Sequence, residues 1–168
     1  MTAKEKQKNF IKNYLKPTLK QAGYSTQGQT WWMAENEFFK IINLQNYSWN
    51  SQDSVDFRFN IGIGLTATMK DPEKKKATYN DLTVHVTEHY HLPRTRQKHR
   101  FLNNQGYSIT TSTNLEDFTN ELQKDFELGI IPALNGLTTL EDCLNFYKGA
   151  DFWYEQLKRQ LAELKDGK

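Results

Sequence analysis

The spacing of apolar residues divides the chain into three stretches. Near the N-terminus Phe10, Ile11, Tyr14, Leu15, Leu19 and Ala22 recur every three or four positions, which places one apolar stripe along a helix. This predicts a helix over residues 1–22 that kinks or restarts at Pro17, because proline lacks an amide hydrogen and its ring clashes with the preceding turn. Gly23 is expected to end it.

From Tyr24 onward the texture becomes aromatic and β-branched, with Gly, Asn and Ser between the runs. Trp31–Met33 and Phe38–Leu44 are expected to pair across the polar turn Ala34–Glu37. Val55, Phe57, Phe59, Ile61, Ile63 and Leu65 then alternate with Asp56, Arg58, Asn60, Gly62, Gly64 and Thr66, the period of two that gives a strand one buried and one polar face. A second alternating run puts Leu82, Val84, Val86 and Tyr90 opposite Thr83, His85, Thr87, His89 and His91, and Tyr107–Thr111 reads as a last strand. The remainder is helical. Thr113 with Glu116 and Thr138 with Glu141 have capping-box spacing, and three apolar stripes follow: Leu115, Phe118, Leu122 and Phe126; Leu140, Cys143, Leu144 and Tyr147; and Phe152, Trp153, Leu157, Leu161 and Leu164. The prediction is a single α+β domain over 1–168, with a helix at 1–22, a twisted antiparallel sheet of about five strands across 24–111, and three helices across 114–165.

Composition narrows the class of protein. A chain of 168 residues buries about 70% of its unfolded surface. The apolar share of 37% is modest, but 13% of the residues are aromatic and supply large buried areas. Cys143 is the only cysteine, so no intrachain disulfide forms. The first twenty residues carry six lysines and no long apolar run, so the expected location is the cytoplasm, away from membranes. Charge is uneven although its net value is only +2: residues 70–100 are basic, and the chain beyond Leu115 is acidic.

The candidate chemistry is sparse. His85-Val86-Thr87-Glu88-His89 spells the H-x-x-E-H of inverted zinc peptidases, a motif that needs a helix. On a strand His85 and His89 would stand about 13 Å apart and Glu88 would point to the other face, so one zinc could not hold both histidines. His89 and His91, at alternate strand positions about 6.6 Å apart, are the better metal pair, with a third ligand to come from His85, Asp56 or Asp81 if neighbouring strands bring one of them in. No metal or other cofactor is therefore assigned. Cys143 lies on an apolar stripe, and Gly62-Ile63-Gly64 lacks the third glycine of a dinucleotide fingerprint. No catalytic residue is assigned, and a non-enzymatic role is favoured.

Four features suit binding. Arg94, Arg96, Lys98 and Arg100 would share one side of an extended basic arm, extended by Lys70 and Lys74–Lys76 if that loop lies at the same end. The arm suits an acidic protein surface or nucleic acid, and a sequence pI of about 8.5 argues against the latter. Tyr47 and Trp49 sit in a polar loop that either recognises a partner or folds back over the end of the sheet. Arg58, Asn60, His85 and His89 share the polar sheet face, where bare Gly62 and Gly64 would admit a ligand, a side chain or a covering helix. The expected function is protein binding through the arm, Trp49 or the sheet face. The alternatives are a small-ligand or metal site around Arg58, Asn60, His85 and His89, and weak nucleic-acid binding by the arm.

Leu15-Lys16-Pro17 through Ala22-Gly23-Tyr24, Ile42-Asn43-Leu44-Gln45, Phe57 through Ile63, His91-Leu92-Pro93-Arg94, and the helical tail Leu115–Leu144 with Ile131-Pro132 together form an order of features. In this order the chain resembles a bacterial family catalogued as domain of unknown function 4304. The resemblance implies a shared fold, and it implies no activity, substrate or site residue.

Overall fold

The computed structural model describes residues 1–69, 73, 76–92 and 105–167. The chain begins with helix α1 (Ala3–Phe10), capped by a Thr2–Glu5 box in which each side chain takes up a free amide of the other. After α1 the turn widens over Ile11–Leu15, and α2 (Lys16–Gln21) follows without a break. The widening accommodates Pro17: the Lys16 amide reaches five residues back to the Ile11 carbonyl, which loosens the turn that the proline ring would otherwise strike. The same arrangement recurs before Pro132. There α3 (Leu115–Lys124) passes through a wide turn at Asp125–Ile130 into α4 (Ile131–Asn135), with the Ile131 amide bonded to Phe126 O. Gly23, at φ +99°, makes the exit from α2.

Among the described residues the sheet has six antiparallel strands: β1 (Ser25–Gln27), β2 (Thr30–Ala34), β3 (Phe38–Asn46), β4 (Ser54–Leu65), β5 (Val84–Thr87) and β6 (Tyr107–Thr110). Strands β1 to β5 lie in chain order. Strand β4 is the hub, and β3 covers one of its edges from Phe57 to Leu65. The other edge is shared. β5 pairs with Asn60–Ile63 and β6 with Ser54–Phe57, which leaves a gap at Arg58 and Phe59.

Two side chains complete this shared edge. Fully buried Glu88 turns back from the end of β5, and its Oε2 accepts the Phe59 amide at 3.1 Å while Oε1 accepts the Gly106 amide at the entrance to β6. At the other end of β5, Thr83 Oγ1 accepts the Leu65 amide at 3.1 Å. Without these acceptors, buried N–H groups would be left unpaired, at a cost of about 1–3 kcal/mol each. The bare spots on β4 are filled by the chain itself: a Cβ on Gly62 would lie 1.7 Å from Val84 O, and one on Gly64 would lie 2.2 Å from Asp81 O. Neighbouring backbone therefore occupies the space above both glycines.

The helices cover the face bearing Val55, Phe57, Phe59, Ile61, Ile63 and Leu65, all buried among side chains such as Phe10, Leu19, Phe118, Phe126 and Tyr147. Trp31 joins this core. Trp32 faces the opposite way into a small second cluster with Phe39, Ile41, Met69 and Ala77. Two cations work inside the structure. Lys6 Nζ donates to the carbonyls of Thr111 and Thr113 at 2.6 Å each and to Thr110 at 3.4 Å, tying α1 to the end of β6. Lys40, 1% exposed on the helix-covered face, pairs with Glu35 at 2.9 Å.

Helices α5 (Leu140–Phe146) and α6 (Asp151–Asp166) complete the fold. The helix starts at 113 and 138 are corrected by one residue. Asn114 caps α3 and accepts the Asp117 amide, while the Thr113 hydroxyl is used by the Thr110 amide. Thr139 with Asp142 forms the box of α5, and the Thr138 hydroxyl also donates to the Asp142 carboxylate. Among the described residues no helix is long and apolar enough to cross a membrane. Cys143 is buried, and burial pushes its thiol pKa up to about 12.

The role of Glu88 is testable. Replacement by Gln turns an amide NH2 toward one of the two N–H groups, so Glu88→Gln should lose about 1–3 kcal/mol in urea denaturation. A wild-type midpoint would show that the carboxylate does not hold the edge.

Candidate functional site

The sheet face opposite the helices is open over its polar half, and its geometry starts in the loop after β3. Asp56 fixes that loop from three directions. Its carbonyl accepts the Tyr47 amide and Asn50 Nδ2 at 3.0 and 2.9 Å, its amide donates to Asn50 Oδ1 at 2.8 Å, and its Oδ2 accepts Trp49 Nε1 at 2.8 Å. The Trp49 and Tyr47 rings stack at 4.6 Å and 5°. The Arg58 guanidinium lies over the Tyr47 ring at 5.8 Å. Trp49 is 60% exposed even though its ring is held on two sides. The loop folds back toward the sheet and still presents this ring to solvent.

Arg58 also orients a row of amides across β3 and β4. Its Nε and Nη2 both donate to Gln45 Oε1 at 3.2 Å. Arginine only donates, so Gln45 has to present its oxygen, and this oxygen also accepts Asn60 Nδ2 at 2.9 Å. Asn60 therefore turns its nitrogen toward β3, where Asn43 Oδ1 accepts it at 3.2 Å, and Asn43 Nδ2 is left to donate to Thr30 Oγ1 at 2.9 Å. One consequence is an unpaired atom. Asn60 is fully buried, and its Oδ1, directed away from β3 toward β5, has no hydrogen-bond partner among the described residues.

On the β5 side lies a cleft of about 310 Å³ bounded by Arg58, Asn60, His85, Thr87, His89 and Trp153. Thr87 and His89 are hydrogen-bonded to each other. His85 stands between Tyr79, with centroids 5.6 Å apart, and Trp153 of α6, at 4.4 Å. Burial and then the nearby Arg58 charge hold the His85 pKa below its ordinary value, so the ring is neutral at pH 7. The structure thus gathers Arg58, Asn60, His85 and His89 around one cleft and sets Trp49 beside it through Tyr47. Gly62 and Gly64 do not line it. Arg94, Arg96, Lys98, His99 and Arg100, with Lys70, Lys74 and Lys75, lie outside the described residues.

The histidine reading is corrected in one respect. Strand β5 ends at Thr87, and Glu88–His91 forms a 3₁₀ turn, so His89 and His91 do not share a strand face. His89 is exposed, whereas His91 stacks on Phe146 at 5.3 Å and 21°. The H-x-x-E-H segment is accordingly neither a helix nor wholly a strand, and Glu88 is used by the backbone of β4 and β6. No group of three His, Cys, Asp or Glu side chains among the described residues could hold a metal ion. Periodicity missed Trp153 and Tyr79 as cleft neighbours, because Trp153 comes from a helix remote in sequence and Tyr79 from a 3₁₀ turn before β5.

A family model described as "Domain of unknown function (DUF4304)" matches residues 15–136. No curated protein and no solved structure matches the chain.

His91 supplies a pH test. Neither ring nitrogen has a hydrogen-bond partner among the described residues; burial, with a smaller contribution from His89, lowers its pKa from 6.5 to about 4. Below pH 6.5 the unfolded chain takes up a proton that the folded ring refuses, so stability present above that pH is lost as pH falls toward 4. Between pH 7 and 4.5 this contribution should be roughly 2 kcal/mol. Urea denaturation at both pH values should show a smaller loss for His91→Phe than for wild type. Equal losses would mean that His91 is not the source.

Proposed function

The chain belongs to the DUF4304 family, whose description names no activity, and we propose that it is a non-enzymatic protein-binding module of the bacterial cytoplasm that docks through its polar sheet face. The observation that carries this reading is Trp49: an exposed indole, stacked on Tyr47 and anchored to Asp56, beside the Arg58 guanidinium. Trp, Tyr and Arg are the residues that most often dominate binding energy at protein interfaces. A ring already held in place loses little entropy on association. The adjoining Gln45 and Asn43 amides offer a polar surround to such an anchor, in keeping with the apolar centre and polar rim of protein interfaces. The basic arm with Arg94, Arg96 and Arg100 would add steering toward an acidic partner.

The test uses Trp49→Ala, which removes a ring that is 60% exposed, with urea denaturation to verify that the variant remains folded. In affinity capture from native lysate, at least one protein retained by wild type should be lost by the variant. With that partner purified, affinity should fall about 30-fold or more, the effect of a 2 kcal/mol anchor. Retention of every captured protein by Trp49→Ala would overturn the reading.

A further inference from the structure

The cleft between β4, β5 and the head of α6 has features that a protein-docking platform does not require. Among the described residues its boundary carries one formal cation, Arg58, and no acidic side chain. Arg58 spends Nε and Nη2 on Gln45, leaving Nη1 as a charged donor. Helix α6 begins at the rim. Its N-cap is Ala150, which has no side-chain acceptor, so the first-turn amides lack a side-chain cap and the positive end of a sixteen-residue helix adjoins the space. Asp151, in that first turn, is exposed and does not line the cleft. These features favour an anion.

Other features restrict which anion. A single arginine beside an imidazole kept neutral suits one negative charge better than the double charge of a phosphate monoester. The tilted His85 and Trp153 rings form an aromatic wall, which favours a flat ligand. The remaining feature is Asn60. Its amide orientation is dictated by Arg58 through Gln45, and its buried Oδ1 is left without a donor on the β5 side, at the floor of the cleft. A buried carbonyl oxygen with no partner costs about 1–3 kcal/mol and calls for a donor from outside the protein. This observation is independent of the helix end.

We propose that this cleft binds a small planar carboxylate that also carries a hydrogen-bond donor, a single-ring hydroxy- or amino-substituted aromatic acid. Its carboxylate meets Arg58 Nη1 and the first turn of α6, its ring packs on Trp153 and His85, and its O–H or N–H is directed to Asn60 Oδ1. The proposal does not depend on the docking role of Trp49, which does not line the cleft.

The experiment is an NMR titration of the full chain with 2-aminobenzoate, benzoate, inorganic phosphate and benzamidine, observing the Trp153 indole and His85 ring resonances. The expected result is saturable shifts of both rings by 2-aminobenzoate, with affinity reduced about tenfold or more in Arg58→Gln and in Trp153→Leu. Benzoate, lacking the donor, should bind more weakly, and benzamidine should not bind. Each variant's folding is verified from its own spectrum, and the wild-type titration stands without them. Three results would overturn the proposal: no saturable shift up to about 10 mM, a range that covers even millimolar binders; shifts unchanged in both variants; or phosphate or benzamidine binding as tightly as 2-aminobenzoate.

Discussion

Strands β3, β5 and β6 all pair with β4, and β4 depends on having its edge amides satisfied. One edge is paired throughout its C-terminal three-quarters by β3. The other is covered by two short strands that arrive from different places in the chain and do not meet. Glu88 and Thr83 supply acceptors where backbone carbonyls are missing, and they make β5 function as a longer strand than its four residues allow. Glu88 also bonds Gly106, so one carboxylate holds the entrance to β6 as well. A buried carboxylate here is a structural acceptor. The resemblance of its surroundings to a peptidase motif is a coincidence of residue order.

This arrangement explains why function is sought on one side of the sheet. The helices close the apolar face completely, and backbone crossing over Gly62 and Gly64 closes part of the other. Among the described residues, the end where Arg58 sits stays accessible. Arg58 links two neighbouring features: it lies over the Tyr47–Trp49 stack, and it sets the direction of the amides that end at Asn60. The proposed docking platform and the proposed small-ligand cleft are therefore neighbours because one guanidinium, with five donors in a fixed plane, can serve both.

The parts of the fold that were legible in sequence are those governed by local periodicity. The twelve-residue alternation of β4, the β2–β3 hairpin and the helical stripes at both ends all appear where the apolar spacing put them. Caps were displaced by one position because Thr113 and Thr138 each have a neighbour, Asn114 or Thr139, equally able to accept an amide; packing decides between them. The π turns before Pro17 and Pro132 were readable only as disturbances, since proline signals the clash without saying how the chain relieves it. His89 and His91 separated because the alternation of threonines and histidines continues past the point where β5 loses its partner.

By itself, the sequence determined that this is one α+β domain, which face of β4 would be buried, and that Arg58, Asn60 and His85 would lie on the other face, because side-chain direction along a regular strand is a local property. Only the tertiary structure decided what those residues meet. The Trp153 wall beside His85, the amide row that orients Asn60, and the use of Glu88 as a strand extension all join residues remote in sequence. Such contacts depend on register and on the packing of α6 against β5, which no periodicity along the chain encodes.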